Sequence, residues 1–363
     1  MNTEHGLFAR VVLLAAVFVL MISSGFAATD RVRVVRAPQD GAVPDAEIGE
    51  DGVVHIAYVA NDDVFYARST DDAATFSTPL RVNTRPGTAH PPGMYRGPDL
   101  ALGQDGAVHV IWYVNAYQKK APKEESGVYY SRMTRTEKTF EPERNLNHLP
   151  SDNYSVAADA RGQVAVIWMA RGLNVTLSRD GGKSFAAAEN VAIADSCECC
   201  ASRAFIDADG TLFCAYRDKA GNQRDMFLLT RRTGGSAWTR SRASGSPWQI
   251  NGCPMTGTYL SNGKSGPVMA WETKSTISFA RFDSTGQKQG EEIVVTEAGG
   301  KFPIVLAAPD GVTCLSWKKG AVLHWRLFGS NGKPMGEEAS QPSSNGNRHA
   351  GVVIRNGDFV LID

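Results

Sequence analysis

Residues 105–112 read DGAVHVIW: a turn-forming Asp-Gly pair, a stretch alternating in polarity, then a closing aromatic. The same pattern returns along the chain. DGVVHIAY ends at Tyr58, RGQVAVIW at Trp168, DGTLFCAY at Tyr216, SGPVMAW at Trp271 and DGVTCLSW at Trp317. A last copy, NGDFVLID, runs out at Asp363. The end points lie roughly 46 to 56 residues apart, a spacing in the range of propeller blades. Alternation with period two marks each copy as a strand.

Other runs flank every copy. Before it stands an apolar run such as PDLALG (98–103), SVAADA (155–160), RAFIDA (203–208) or PIVLAA (303–308). After it come VFYARS (64–69), GVYYSR (127–132) or NVTLSR (174–179), and then a fourth run such as TPLRVN (78–83) or EPERNLN (141–147). Four antiparallel strands per unit, repeated around an axis, make an all-β propeller. RVRVVRAP (31–38) reads as a fourth strand with nothing before it, and GVVIRNG with DFVLID supplies first and second strands at the other end. Pairing these N- and C-terminal strands in one blade closes the ring without an exposed edge. The expectation is seven blades, with six as the alternative because the shared blade lacks a run for its third strand.

The chain opens with His5 and Arg10, an unbroken apolar run from Val11 to Ile22, and small residues up to Ala27. That run is short for a bilayer span and fits a signal peptide over residues 1–27, leaving a propeller domain at 28–363. The mature chain is therefore expected to be exported, periplasmic or secreted, with no stable membrane span after cleavage. The 38 basic and 38 acidic side chains of the full sequence balance, so no overall field draws in nucleic acid. No cofactor is expected.

Between third and fourth strands, LSRDGGKSF (177–185) places Ser178, Asp180, Gly182 and Phe185 in the order S-x-D-x-G-x-x-F. RSTDDAATF (68–76) repeats it with Ser69, Asp71 and Phe76, Ala73 standing in the glycine position. An Asp that accepts backbone N–H bonds, a residue tolerant of unusual dihedrals and an aromatic beneath suit a hairpin corner. This pattern resembles the Asp-box, or BNR-repeat, propellers of the sialidase superfamily, and the resemblance covers nearly the whole mature chain. In that family the box is structural and lies away from the active site.

The resemblance also implies a site: three arginines holding a substrate carboxylate, a tyrosine nucleophile assisted by a glutamate, and an aspartate as acid/base. YRGP (95–98) sets Arg96 before Pro98 at the start of a first strand, a partial match to the family's first arginine. The loop that carries the family's aspartate reads YVNAYQKKAPKEES (113–126) here and contains none. Counting from the aromatic landmarks supplies a second route. First-strand starts and second-strand ends share one face, which brings together Arg96, Arg171, Arg217, Lys301 and His349, with Asp218, Glu272 and Lys318 among them; Arg203 stands beside Arg171 as a candidate third grip on a carboxylate. Such a ring at a concave mouth would suit a glycan or another small anionic ligand. In the hydrolase reading, an exo-sialidase, Asp218 or Glu272 would serve as acid/base. The Arg-Asp pairs at 217–218 and 224–225 also read as two cross-strand ion pairs steadying a hairpin. His55 and His109, at equivalent repeat positions, read as packing rather than as metal ligands.

Three of the six cysteines fall within CECC (197–200). By the same count Cys199, Cys200 and Cys253 open the first strands of neighbouring blades. An oxidising compartment favours a disulfide from Cys197, Cys199 or Cys200 to Cys253. The alternatives are a thiolate metal site of Cys197, Cys199, Cys200 and Cys253, and a labile Cys199–Cys200 bond.

Overall fold

In the computed structural model, which describes residues 28–89, 96–192, 196–295, 299–344 and 346–363, seven sheets form a ring. The expected leader, residues 1–27, lies outside the described residues. Six blades have four antiparallel strands in chain order. Blade 1 runs from Ala42 to Arg81, blade 2 from Asp99 to Asn145 and blade 3 from Asp152 to Ala192. Blade 4 runs from Arg203 to Arg242, blade 5 from Thr258 to Val294 and blade 6 from Lys301 to Pro342. Blade 7 is built from both ends: Ala350–Val353, Phe359–Ile362 and the N-terminal Val32–Val35. Among the described residues no helix is long and apolar enough to cross a membrane.

The N-terminal segment takes a place different from the one expected. Val32–Val35 lies directly beside Phe359–Ile362, in the third-strand position, and pairs with it in parallel. The blade therefore has three strands, and the seat that seemed vacant is the one the N-terminus fills. Ala37 N–H donates to Asp363 O and Asp363 N–H to Val35 O, both at 2.9 Å, continuing the seam.

The second strands are buried on both faces because each blade is sandwiched between two others. Val108–Val114 is buried at every position, and the landmark side chains Tyr58, Trp112, Tyr216, Trp271 and Trp317 are all within the core. The apolar clusters straddle blades: Trp112 and Val110 pack with Tyr66 and Ala57 of blade 1, while Trp168 and Val166 pack with Ile111 and Tyr130 of blade 2. His55 and His109 belong to this packing, each with its Nδ1 2.7 Å from a third-strand tyrosine hydroxyl, Tyr66 or Tyr130.

The two Ser-x-Asp corners make the same hydrogen bonds. Ser178 Oγ donates to Asp180 Oδ1 at 2.7 Å and accepts from Gly182 N–H at 2.8 Å, and Ser184 N–H donates to Asp180 Oδ1 at 2.9 Å. Ser69, Asp71, Ala73 and Thr75 repeat the set at 2.6, 2.9 and 2.9 Å. Bonds from Ser69 and Thr75 draw the Asp71 carboxyl down to about 2. Gly182, at φ +80°, could not carry a side chain, because a Cβ there would come 1.8 Å from the Tyr130 hydroxyl oxygen. Phe185 packs edge-on against Tyr130 with ring centres 5.0 Å apart.

Polar stitches join the inner strands around the axis. Leu100 N–H donates to Asp45, Val156 N–H to Asp99 and Ala204 N–H to Ser155, each link reaching from one blade to the next at 2.9 to 3.0 Å. Leu102 N–H likewise donates to Glu47 at 2.8 Å. Burial pushes the Glu47 carboxyl up to about 8, against the pull of that N–H and with the Asp45 charge adding to the rise. A carboxyl raised on folding stabilises the fold below its ordinary value, and that contribution is lost as pH rises toward 8. Replacing Glu47 with Gln keeps an acceptor and removes the titration. Chemical denaturation of both forms across this range is expected to show wild-type stability falling relative to Glu47→Gln between about pH 4.5 and 8. A constant difference would contradict the assignment.

Candidate functional site

One equivalent position of each inner strand, fixed by its pairing with the residue before the aromatic landmark, or before Asp363 in blade 7, is occupied by Asp45, Asp99, Ser155, Arg203, Tyr259, Ile304 and Ala350. Arg203 crosses from blade 4 to pair with Asp99 and, at 3.1 Å, with Asp45, while its guanidinium carbon lies 4.7 Å from the Tyr259 ring centre. Arg348 adds a second cation 3.9 Å from Asp99 and donates to Pro98 O at 2.9 Å. Burial raises both carboxyls; in Asp45 the two arginines overcome it and hold the group low, whereas Asp99 is left at about 6. The space beside this cluster, bordered by Asn153, Tyr154, Ser202, Phe302 and Arg348, is about 20 Å³, enough for roughly one water. The axis is closed at this depth by its own charges.

Several residues expected around the mouth are engaged below the surface. Arg217 is 1% exposed; it donates to Arg224 O at 2.6 Å, contacts Glu272 O and lies 4.9 Å from the Trp248 ring. Glu272, also 1% exposed, is bound by Lys301; burial raises its carboxyl while Lys301 opposes the rise. Lys318 pairs with Asp363. His349 is buried with Nε2 2.7 Å from Ser316 Oγ, and burial lowers it to about 3. Asp218 pairs with Arg240 at 2.7 Å and Asp225 with Arg242 at 2.8 Å, so these carboxylates reach the fourth strand of blade 4.

Arg96 and Arg171 are the two predicted residues that meet in open space. Both line a cleft of about 610 Å³ between blades 2 and 3 on the mouth face, together with Lys123, Tyr113, Asp152 and Glu198. Tyr113 and Lys123 come from the end of a blade-2 strand and the long loop after it; Arg171 sits in the hairpin leaving the second strand of blade 3. Arg96 pairs with Asp152. Glu198, from CECC, accepts Gly172 N–H at 3.0 Å, and Asn153 Nδ2 donates to Glu198 O at 2.7 Å. Sequence reasoning passed over Tyr113, Lys123, Asp152 and Glu198. Length was the available signal: residues 113–126 were read for a missing aspartate, not for the wall that so long a loop builds.

The cysteines form a disulfide from Cys199 to Cys253, linking the approaches to blades 4 and 5. Cys197 and Cys200 are buried thiols with sulfurs 3.4 Å apart, and Cys214 and Cys314 are separate buried thiols.

No family model and no curated protein matches the sequence. Solved structures do. The chain is similar to a polysaccharide lyase, PL25 ulvan lyase, at 10% identity over 88% of this chain and 90% of that one, with a TM-score of 0.54. It is also similar to the NanB sialidase from Streptococcus pneumoniae, at 9% identity over 77% of this chain, with a TM-score of 0.50. This match spans 65% of the sialidase chain. The likeness is one of fold: a sialidase-like β-propeller.

Because Arg203 answers two buried carboxylates, removing it leaves both without their main partner. Arg203→Leu is expected to lower unfolding stability by about 3–5 kcal/mol, with Asp45→Asn and Asp99→Asn restoring part of the loss when added. Guanidinium denaturation measures this, and a change under about 1 kcal/mol would show that the cluster is not needed.

Proposed function

We propose that the protein is an exported propeller that binds a glycan or other small ligand through a carboxylate or similar anion, seated in the cleft between blades 2 and 3. The observation that carries this is the convergence of Arg96 and Arg171 on a cleft of about 610 Å³. That volume suits a small ligand. Arg96, Arg171 and Lys123 stand against two carboxylates, and Asp152 and Glu198 already have partners. A guanidinium carries five N–H donors, so Arg96 can hold Asp152 on one side and a ligand carboxylate on another. Tyr117, 91% exposed on the same long loop, offers an aromatic face to a sugar ring. The Cys199–Cys253 disulfide fits an oxidising compartment.

Asp218 and Glu272, the acid/base candidates, do not line this cleft and are held by Arg240 and Lys301. Binding without turnover is therefore the expected behaviour. Calorimetry against acidic and neutral oligosaccharides should find binding of acidic members alone. Arg96→Ala and Arg171→Ala should each weaken it about ten- to a hundred-fold, some 1.4–2.8 kcal/mol. Binding unaffected by either substitution would overturn the placement. Turnover of a fluorogenic sialoside, abolished by Arg96→Ala, would replace binding with hydrolysis.

A further inference from the structure

The sulfur cluster beside the cleft has no part in that reading. Cys197, Cys199 and Cys200 place their sulfurs within 4.8 Å of one another, with Cys197 3.5 Å from Cys199 and 3.4 Å from Cys200. The loop is held on several sides: Cys197 N–H donates to Arg217 O at 2.9 Å, Cys200 N–H to Cys197 O at 2.9 Å and Ala201 N–H to Thr256 O at 3.0 Å. An ion bonded to three sulfurs in one plane at about 2.3 Å needs them about 4.0 Å apart. Two of the separations, 3.4 and 3.5 Å, fall about 0.5 Å short of that value and the third lies within 4.8 Å, so modest side-chain rotations would complete the triangle.

We propose that Cys197, Cys199 and Cys200 form a thiolate site for a soft monovalent cation, Cu(I), which assembles when the Cys199–Cys253 bond is reduced. Three sulfurs without imidazole or carboxylate make a soft donor set. Cu(I) is satisfied by two or three thiolates, so the three clustered sulfurs suffice for it, whereas Zn(II) in a structural site takes four ligands and would also have to recruit the reduced Cys253. Three thiolates and one Cu(I) carry a net double negative charge. The buried guanidinium groups of Arg217 and Arg224 lie close enough to act on the Cys197 sulfur and offset it.

Cys199 thus has two exclusive states. Cys253 is exposed, which leaves its sulfur open to a dithiol reductant. Attack there by one thiolate of the reductant releases Cys199 as a thiolate and forms a mixed disulfide with Cys253. The reductant's second thiol resolves that bond, leaving Cys253 reduced and the reductant as its own disulfide. Two electrons pass to the protein; Cu(I) then takes the Cys199 thiolate and displaces the protons of Cys197 and Cys200.

The test is anaerobic titration of the mature chain with Cu(I) against a chromophoric Cu(I) chelator. After reduction and removal of the reductant, wild type is expected to hold one equivalent, and the oxidised protein to leave copper with the chelator. Cys200→Ser should weaken the reduced protein's binding at least ten-fold, whereas Cys314→Ala, in blade 6, should not change it. Cys253→Ser leaves Cys199 as a thiol and should bind one equivalent without any reductant; this comparison stands even if Cys200→Ser fails to fold. No equivalent in either reduced wild type or Cys253→Ser would overturn the site. Preference for Zn(II) over Cu(I) in competition would overturn the choice of ion.

Discussion

Seven inner strands meet around one axis, and the charge placed there limits everything built above it. Arg203 spans from blade 4 to Asp45 and Asp99 on blades 1 and 2, with Tyr259 of blade 5 against its other side. Ion pairs taken out of water gain little net stability, because desolvation offsets the attraction. Their effect lies in what they exclude: a blade out of register would leave buried carboxylates without a cation. The same acids accept inner-strand N–H groups from the next blade, so the axial charges and the stitches between blades use the same side chains. Among the described residues the axial space at this depth holds roughly one water, and the larger space lies off it.

The cleft between blades 2 and 3 answers that restriction. Most of its wall residues stand on loops, and loops can vary on a propeller without disturbing the buried second strands. Asp152 opens the first strand of blade 3, so the partner of Arg96 stands on the scaffold, while Arg171 sits in a two-strand turn at φ +52°. The CECC loop joins two features of the surface. Glu198 faces the cleft while the sulfurs on either side of it face inward and toward Cys253.

The repeat is legible because burial on both faces keeps second strands apolar, with a large buried aromatic near the end of most, as at Trp112 and Trp317. Alternation could not show which neighbour an orphan strand would join. The sequence pattern places Val32–Val35 outermost, but it pairs with Phe359–Ile362, where Val32 and Val34 pack against the core, and completes the ring. Counting along strands puts Arg217 and His349 at the mouth end, with Arg203 added as a carboxylate grip, yet a count has no depth. Whether a side chain reaches solvent or a buried partner depends on residues from other blades, such as Asp99 for Arg203 and Ser316 for His349. Arg96 and Arg171 were named, but their meeting in one cleft rests on loop paths that periodicity does not describe.

The central claim is that ligand binds beside the axis and not in it. Hydrogen exchange followed by mass spectrometry, with and without an acidic oligosaccharide, separates the two places directly. Protection is expected in peptides covering 113–115, 149–152, 169–171 and 198, which border the cleft. Protection centred instead on 257–259 and 302–304, which border the axial space, would contradict the account.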